Sequence, residues 1–270
     1  MKIYRFRHGT RILMGVLRGD LLFPVKGSIF SDFTVDDRPI PIGDVKLLPP
    51  VLPTKIVCVG ANYRDHAAEM SRPVPSEPLL FLKPPSALIG PFDAIVYPEM
   101  SQRVDYEGEL ALVMGKTASR LSEDRAMSAV LGFSCFNDVT ARDLQKKDIQ
   151  FTRAKSFDTF AVLGPCVRTD FDPAEAEIKT FLNGRLKQSG HGRQLIFSPA
   201  FLVSFISRIM TLYPGDVIAT GTPAGVGPMC PGDRVDIRIE GIGTLSNEVI
   251  EGGTSLGGGG APNSQSLEDP

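Results

Sequence analysis

The sequence lacks most of the features that mark a specialised class of protein. Its 270 residues carry 29 Lys plus Arg against 31 Asp plus Glu, a formal net charge of -2. No basic excess is available to hold nucleic acid or an anionic membrane surface, so neither is an expected partner. Apolar runs such as residues 57–59 and 79–82 fall far short of the ~20 residues needed to span a bilayer. Three histidines, His8, His66 and His191, are too few and too scattered for a zinc site built on imidazole. Four cysteines, Cys58, Cys135, Cys166 and Cys230, contain no C-x-x-C pair and read as reduced, mostly buried thiols of a cytosol-like compartment, so a cytoplasmic location is expected. There is no secretory h-region, no internal repeat and no Gly-Lys-Ser/Thr of a P-loop.

What is present reads as ordinary globular composition with a strong strand signal. Lys2-Ile3-Tyr4-Arg5-Phe6-Arg7 alternates like a half-buried strand, His8-Gly9-Thr10 reads as a turn and residues 11–17 as a return strand. A targeting reading of the basic residues Lys2, Arg5, Arg7 and Arg11 is the alternative. Pro49, Pro50 and Pro53 form a stiff link. The chain therefore divides into a small N-terminal β domain with its link (1–53), a main domain (54–250) and a Gly-rich tail (251–270) expected to be disordered. Within the main block, strands are predicted at 55–59, 106–114, 132–137, 161–167 and 235–240. One helix is predicted over 122–130 with Ser122 as N-cap. Another covers 198–210, with Ser198 as cap, Pro199 in the first turn and Phe201, Leu202, Phe205 and Ile209 forming its apolar face. Few helices among many strands give a strand-rich α+β fold and argue against a doubly wound sheet or a TIM barrel.

Four segments carry chemistry. In Val104-Asp105-Tyr106-Glu107-Gly108-Glu109-Leu110, strand alternation points Glu107 and Glu109 the same way, with Asp105 able to join them. Carboxylates crowded on one face next to an apolar run repel one another, and a hard divalent cation resolves this; spacing alone favours the plainer alternative, an exposed acidic edge. In Asn137-Asp138-Val139-Thr140-Ala141-Arg142-Asp143-Leu144-Gln145, a strand gives way to a helix. Thr140 and Asp143 fit a capping box, Asp138 sits where a third carboxylate ligand is wanted, and Arg142 and Gln145 share a helical face suited to gripping a substrate carboxylate. In Asn62-Tyr63-Arg64-Asp65-His66-Ala67-Ala68-Glu69, His66 and Glu69 are three apart; a carboxylate beside an imidazole suits a general base, although spacing alone favours an ordinary surface pair. Finally, residues 213–227 read as a turn, a short strand and a Gly-rich loop whose backbone N–H groups and Thr222 hydroxyl could contact an anionic substrate, although such turns are common in strand-rich folds and the signal alone is weak.

Together with Phe81-Leu82-Lys83-Pro84, Lys155-Ser156-Phe157-Asp158, Asn183-Gly184 and Thr220-Gly221-Thr222-Pro223, these segments occur in an order that closely resembles the fumarylacetoacetate hydrolase family, over about residues 54 to 250. The resemblance implies a mixed β-roll, usually dimeric, often preceded by a small domain like the one here. It implies Glu107, Glu109 and Asp138 as ligands of Mg2+, with Mn2+ or Ca2+ as alternatives, and leaves Asp105 outside them. It implies His66 and Glu69 as the water-activating dyad, Lys155 beside substrate and metal, and Arg142, Gln145, Thr222 and, more weakly, Lys83 along the substrate pocket.

The dyad and residues 227–233 look like the branch of acylpyruvate hydrolases and oxaloacetate decarboxylases or tautomerases. Val104-Asp105-Tyr106-Glu107 and Phe157-Asp158-Thr159-Phe160 also occur in isomerases of hydroxymuconate-type diacids. The expectation is a metal-dependent enzyme that stabilises the enolate of a small 2-keto acid and performs acylpyruvate C–C hydrolysis, oxaloacetate decarboxylation or tautomerisation. A 2-hydroxyhepta-2,4-diene-1,7-dioate-type isomerase is the rival enzyme. A non-catalytic protein binding metal and carboxylate is the rival from another class.

Overall fold

The computed structural model describes residues 1–69 and 73–253, so the expectation of a disordered tail falls largely outside the described residues. The predicted N-terminal hairpin forms, with strands Lys2–His8 and Arg11–Arg18 joined by a turn. Its alternation buries Tyr4 and Phe6 on one face. These strands do not stay apart from the main block. Ile3 of the first strand pairs with Val167, and through that pairing the N-terminal strands extend one large sheet.

That sheet has 13 strands. Its centre runs Lys2–His8, Ala161–Arg168, Val130–Asp138, Gly108–Met114, Val217–Ala219 and Ile56–Gly60, with Leu79–Lys83 at the edge. Most neighbours are antiparallel, but Val217–Ala219 lies parallel to Ile56–Gly60, so the sheet is mixed. A second sheet of five strands includes Glu177–Leu182, Arg185–His191 and Arg234–Ile239. The hairpin between the first two turns at Asn183-Gly184, both with positive φ (50° and 76°), which is why an Asn-Gly pair is needed there. A three-stranded sheet joins Thr140–Ala141, Val104–Tyr106 and Gly227–Met229. The strand-rich α+β class is as expected.

The central strand Gly108–Met114 is buried along its whole length. Leu110, Leu112 and Met114 join the core on one side of the large sheet; Ala111 and Val113 join a second core with Ile56, Cys58, Phe136 and Ala219 on the other. A strand covered on both faces reads as a continuous apolar run, which is what makes a charged residue at its start conspicuous.

Three local expectations are corrected. The predicted helix over 122–130 is shorter: Glu123–Ala126 is helical, Met127–Ala129 tightens to a 3-10 turn, and Val130 is drawn into the sheet opposite Met114. Ser122 takes the N-cap position without a side-chain cap. The second helix forms at Pro199–Ile209 with Ser198 accepting from Phe201 N–H, but its buried face is rotated. Leu202, Val203 and Ile206 are fully buried, while Ile209 is 58% exposed and Phe201 and Phe205 are half-buried, stacked in a row with Phe197. The small Ser204 and Ser207 turn inward instead, bonding to the Leu121 backbone. Third, Thr140 and Asp143 form no capping box. Thr140 lies in a strand opposite Asp105, and Asp143 accepts from Ser101 Oγ and Gln102 N–H.

Candidate active site

Glu107 sits at a break. The chain leaves the three-stranded sheet at Tyr106 and enters the large sheet at Gly108. Its backbone is fixed on both sides: its N–H donates to Asn137 Oδ1 (3.0 Å) and its carbonyl accepts from Asp138 N–H (2.9 Å). Glu109 follows one alternation later, and Asp138 ends the neighbouring strand Val130–Asp138. The three carboxylates are 5%, 2% and 1% exposed, and one oxygen of each lies within 4.8 Å of the others. The exposed-edge reading is therefore excluded by burial.

Cations surround this cluster unevenly. Lys155 Nζ donates to Glu107 Oε2 (2.9 Å) and Asp138 Oδ2 (2.6 Å). Lys83 bonds to the other Asp138 oxygen and to the Val139 carbonyl (3.0 Å). Burial opposes ionisation of Glu107, but Lys155 and Arg142 outweigh it and hold the carboxyl well below the usual range. Glu109 goes the other way: burial first, then repulsion from Asp138 and Glu107, pushes its carboxyl far up, although it accepts from Gly221 N–H at 2.8 Å. Burial disfavours the charge on Lys155, yet Asp138 and Glu107 more than compensate and raise its pKa. Lys83 is lowered because burial prevails over Asp138.

The donor set fits a hard divalent cation. It is all carboxylate oxygen, converges from two adjacent strands, and includes a carboxyl that cannot ionise comfortably without further positive charge. Mg2+, Mn2+ and Ca2+ match such donors. No imidazole or thiol stands in the set, so a zinc-type centre is not matched.

Asp105, adjacent in sequence and 0% exposed, lies outside the cluster and is bonded to Arg103 and Arg142. Arg142 is accordingly not a free grip for a substrate carboxylate, as its sequence position suggested. Its Nε bonds Asp105 (2.8 Å), one terminal nitrogen bonds Glu107, and the other bonds Gln145 Oε1 (2.5 Å). Its first duty is to hold Glu107. Thr222 is also engaged: its hydroxyl donates to the Gly108 carbonyl (2.9 Å) and accepts from Gln188 Nε2 (2.7 Å).

The dyad forms as expected. His66 Nδ1 and Glu69 Oε2 are 3.0 Å apart on the short helix Arg64–Glu69, with His66 buried and Glu69 partly exposed. The other Glu69 oxygen accepts from Gly225 N–H (3.0 Å). The Gly-rich loop thus touches the acid cluster through Gly221 and the dyad through Gly225. Asn62 buttresses the approach to this loop, donating to the Thr220 carbonyl (2.7 Å). His66, Glu107, Glu109, Asp138, Arg142, Gln145, Lys155 and Thr222 all line one cleft. Lys83 lies behind Asp138 rather than in the wall.

Sequence reasoning missed Gln188. This residue of strand Arg185–His191 is 1% exposed and reaches across from the second sheet. Its Oε1 accepts from Gly108 N–H (2.9 Å), and its Nε2 donates to Thr222 Oγ1 and to the Pro223 carbonyl (2.8 Å). Both peptide groups of Gly108, the residue between the two glutamates, are thereby clamped. Alternation in a polar hairpin gives no sign of this.

The chain is similar to known proteins along most of its length. The family model described as fumarylacetoacetate (FAA) hydrolase C-terminal matches residues 55–250. The chain belongs to the fumarylacetoacetate hydrolase family. Residues 1–50 match a second model, the Rv2993c-like N-terminal region. Among this family's members, the human mitochondrial oxaloacetate tautomerase FAHD2A is 42% identical over 224 residues, 78% of this chain and 71% of that protein. The crystal structure of 2-hydroxyhepta-2,4-diene-1,7-dioate isomerase from Mycobacterium marinum is 41% identical, with a TM-score of 0.88 over 94% of this chain and 99% of its own. Maleylpyruvate hydrolase from Sphingobium sp. SYK-6, solved with manganese(II) ion and pyruvate, is 30% identical with a TM-score of 0.78, covering 93% and 100%. The family thus includes a tautomerase, an isomerase and a hydrolase. No helix among the described residues is long and apolar enough to cross a membrane.

Proposed function

We propose that the protein is a divalent-metal enzyme acting on a small 2-keto acid, with Glu107, Glu109 and Asp138 as metal ligands. The observation that carries the reading is the convergence of these three buried carboxylates in a cleft that is also lined by His66, itself paired with Glu69. When bound, the cation supplies Lewis acidity towards the keto oxygen and adjoining carboxylate of such a substrate.

The remaining work falls to the protein. Glu69 accepting from His66 Nδ1–H leaves Nε2 as a proton acceptor, and His66 lines the cleft. In acylpyruvate hydrolysis, His66 takes a proton from water as the water oxygen bonds to the distal carbonyl carbon. The C–C bond then breaks, its electron pair leaves on the pyruvyl fragment, and C3 of that fragment regains a proton. Arg142 and Lys155 hold Glu107 and Asp138 in place throughout. A second reading uses the same base to move a proton between C3 and oxygen, as in a tautomerase or diacid isomerase. It is favoured by the likeness to the human tautomerase and the mycobacterial isomerase. Decarboxylation of oxaloacetate draws on the same groups.

The test is turnover of acetylpyruvate and of oxaloacetate, followed by ultraviolet absorbance with Mg2+, with chelator and with Glu107→Ala. Chelator-sensitive loss of acetylpyruvate, abolished in the variant, supports hydrolysis. Change in oxaloacetate alone moves the reading to tautomerisation or decarboxylation, separated by CO2 release. Metal binding without turnover of any 2-keto acid or diacid would leave a binding protein.

A further inference from the structure

The lining of the cleft is of two unlike kinds. One is the charged floor. There Lys155 already bonds Glu107 and Asp138, and every guanidinium nitrogen of Arg142 has a protein acceptor. These two are the Lys and Arg residues among the described residues lining the cleft, and neither stands unengaged. The other is aromatic. Phe81 of the edge strand Leu79–Lys83 lies with its ring centroid 5.0 Å from Lys155 Nζ. Phe151 meets that ring edge-on, with centroids 5.6 Å apart and planes at 79°. Contact therefore passes from the acids to Lys155, then to Phe81, then to Phe151. Phe151 belongs to the segment between the helices Arg142–Lys147 and Thr152–Lys155, where Ile149 is 95% exposed.

We propose that Phe151, backed by Phe81, determines specificity for the distal end of the substrate and selects a planar, uncharged group over a second carboxylate. This rests on the 2-keto-acid reading of the same site. The head of any such substrate meets the charged floor, so discrimination falls to what its far end touches. A second carboxylate brought against two aromatic rings would shed water and meet, among the described residues of the wall, only cations already bonded to protein acceptors. A flat acyl, vinyl or aryl group there buries apolar surface and stacks or meets the rings edge-on, and such pairs are favourable beyond their buried area. The preferred substrates are then acylpyruvates with an unsaturated or aromatic acyl group, not the dicarboxylates handled by several relatives.

The experiment uses three inert compounds that share one head: oxamate, N-phenyloxamate with a flat neutral end, and N-oxalylglycine with a second carboxylate. Their binding to the full-length Mn2+-loaded protein is measured by calorimetry, with no turnover involved. N-phenyloxamate should bind about tenfold tighter than oxamate, and N-oxalylglycine no tighter than oxamate. Phe151→Ala should abolish the phenyl advantage and leave oxamate within about twofold of its original affinity, since oxamate does not extend to the rings. Phe151→Lys should hand the advantage to N-oxalylglycine. N-oxalylglycine ahead of N-phenyloxamate in the unaltered protein, or Phe151→Ala weakening all three compounds equally, overturns the proposal. Failure of oxamate itself to bind the loaded protein overturns the 2-keto-acid reading, and this one with it.

Discussion

Replacing Gly108 with alanine should damage the site without touching a single charged group. A Cβ built on Gly108 falls 2.1 Å from Thr180 Oγ1 and 3.4 Å from Thr180 Cβ. Ordinary contact begins near 3.4 Å, so more than an ångström must be found between two sheets that are packed here. Thr180 is 0% exposed and β-branched, which limits its escape by rotation. Overpacking of this kind costs about 1–3 kcal/mol, and about 2–4 °C of Tm per kcal/mol in a chain of this size. The displaced peptide lies between Glu107 and Glu109, so Mn2+ affinity measured by titration calorimetry should fall about tenfold or more as the carboxylates lose register. Thr180 Oγ1 has no hydrogen-bond partner among the described residues, so Thr180→Ala alone should be nearly silent. In the double variant the obstructing oxygen is gone, and both Tm and Mn2+ affinity should return most of the way. Gly108→Ala binding Mn2+ like the parent would refute the reasoning, as would a loss that Thr180→Ala fails to relieve.

Other perturbations separate the remaining roles. Gln188→Leu strands the Gly108 N–H and the Pro223 carbonyl, at about 1–3 kcal/mol for each buried group left unpaired; thermal melts and Mn2+ titration should both move, with Glu107→Ala as the comparison for lost metal binding. His66→Ala should slow acylpyruvate hydrolysis by about 10²–10⁴ and oxaloacetate decarboxylation less, because only the former needs activated water; equal losses would count against that division. Asp216 is buried and bonded to Lys55, to Thr54 Oγ1 (2.7 Å) and to Tyr213 N–H (2.8 Å). Burial alone would raise its carboxyl, but Lys55 and these hydrogen bonds hold it below the ordinary range. A carboxyl lowered in the folded state lends stability that is complete above its unfolded pKa of about 3.9 and is lost as pH falls through the folded value. Asp216→Asn should therefore lower Tm at pH 7 and flatten the loss of Tm below about pH 4. An unchanged acid limb would refute that linkage.

How much was legible in advance follows the range of the interactions. Glu107 and Glu109 were visible as ligands through the order of motifs, because strand spacing alone favoured an exposed acidic edge and only their burial overturns it. The N-terminal hairpin was visible because its alternation is local. Arg142 was visible as an important cation but not in its task, because nothing in the sequence says that Asp105 and Glu107 reach its nitrogens first. Thr140 and Asp143 were misread because a three-residue spacing is the same whether the chain starts a helix there or crosses another strand, and only the pairing of Thr140 with Asp105 decides. Gln188 was silent, since its partners lie 80 and 34 residues away. The helix Pro199–Ile209 had the right length and cap, but its rotation was set by the two inward serines and the Leu121 backbone, which the apolar period does not encode.

The position of Glu107 at the change of sheet has a consequence for the folding equilibrium. A ligand that binds only the folded chain stabilises it by about 2.7 kcal/mol when present at a hundred times its dissociation constant. Under the proposed ligation, that energy is applied where the three-stranded sheet hands over to the large one, so the cation works as a rivet across a seam. Metal supply then governs how long the chain survives as well as how fast it turns over. Under metal starvation the seam should open first, and proteolysis there would register the shortage alongside the loss of activity.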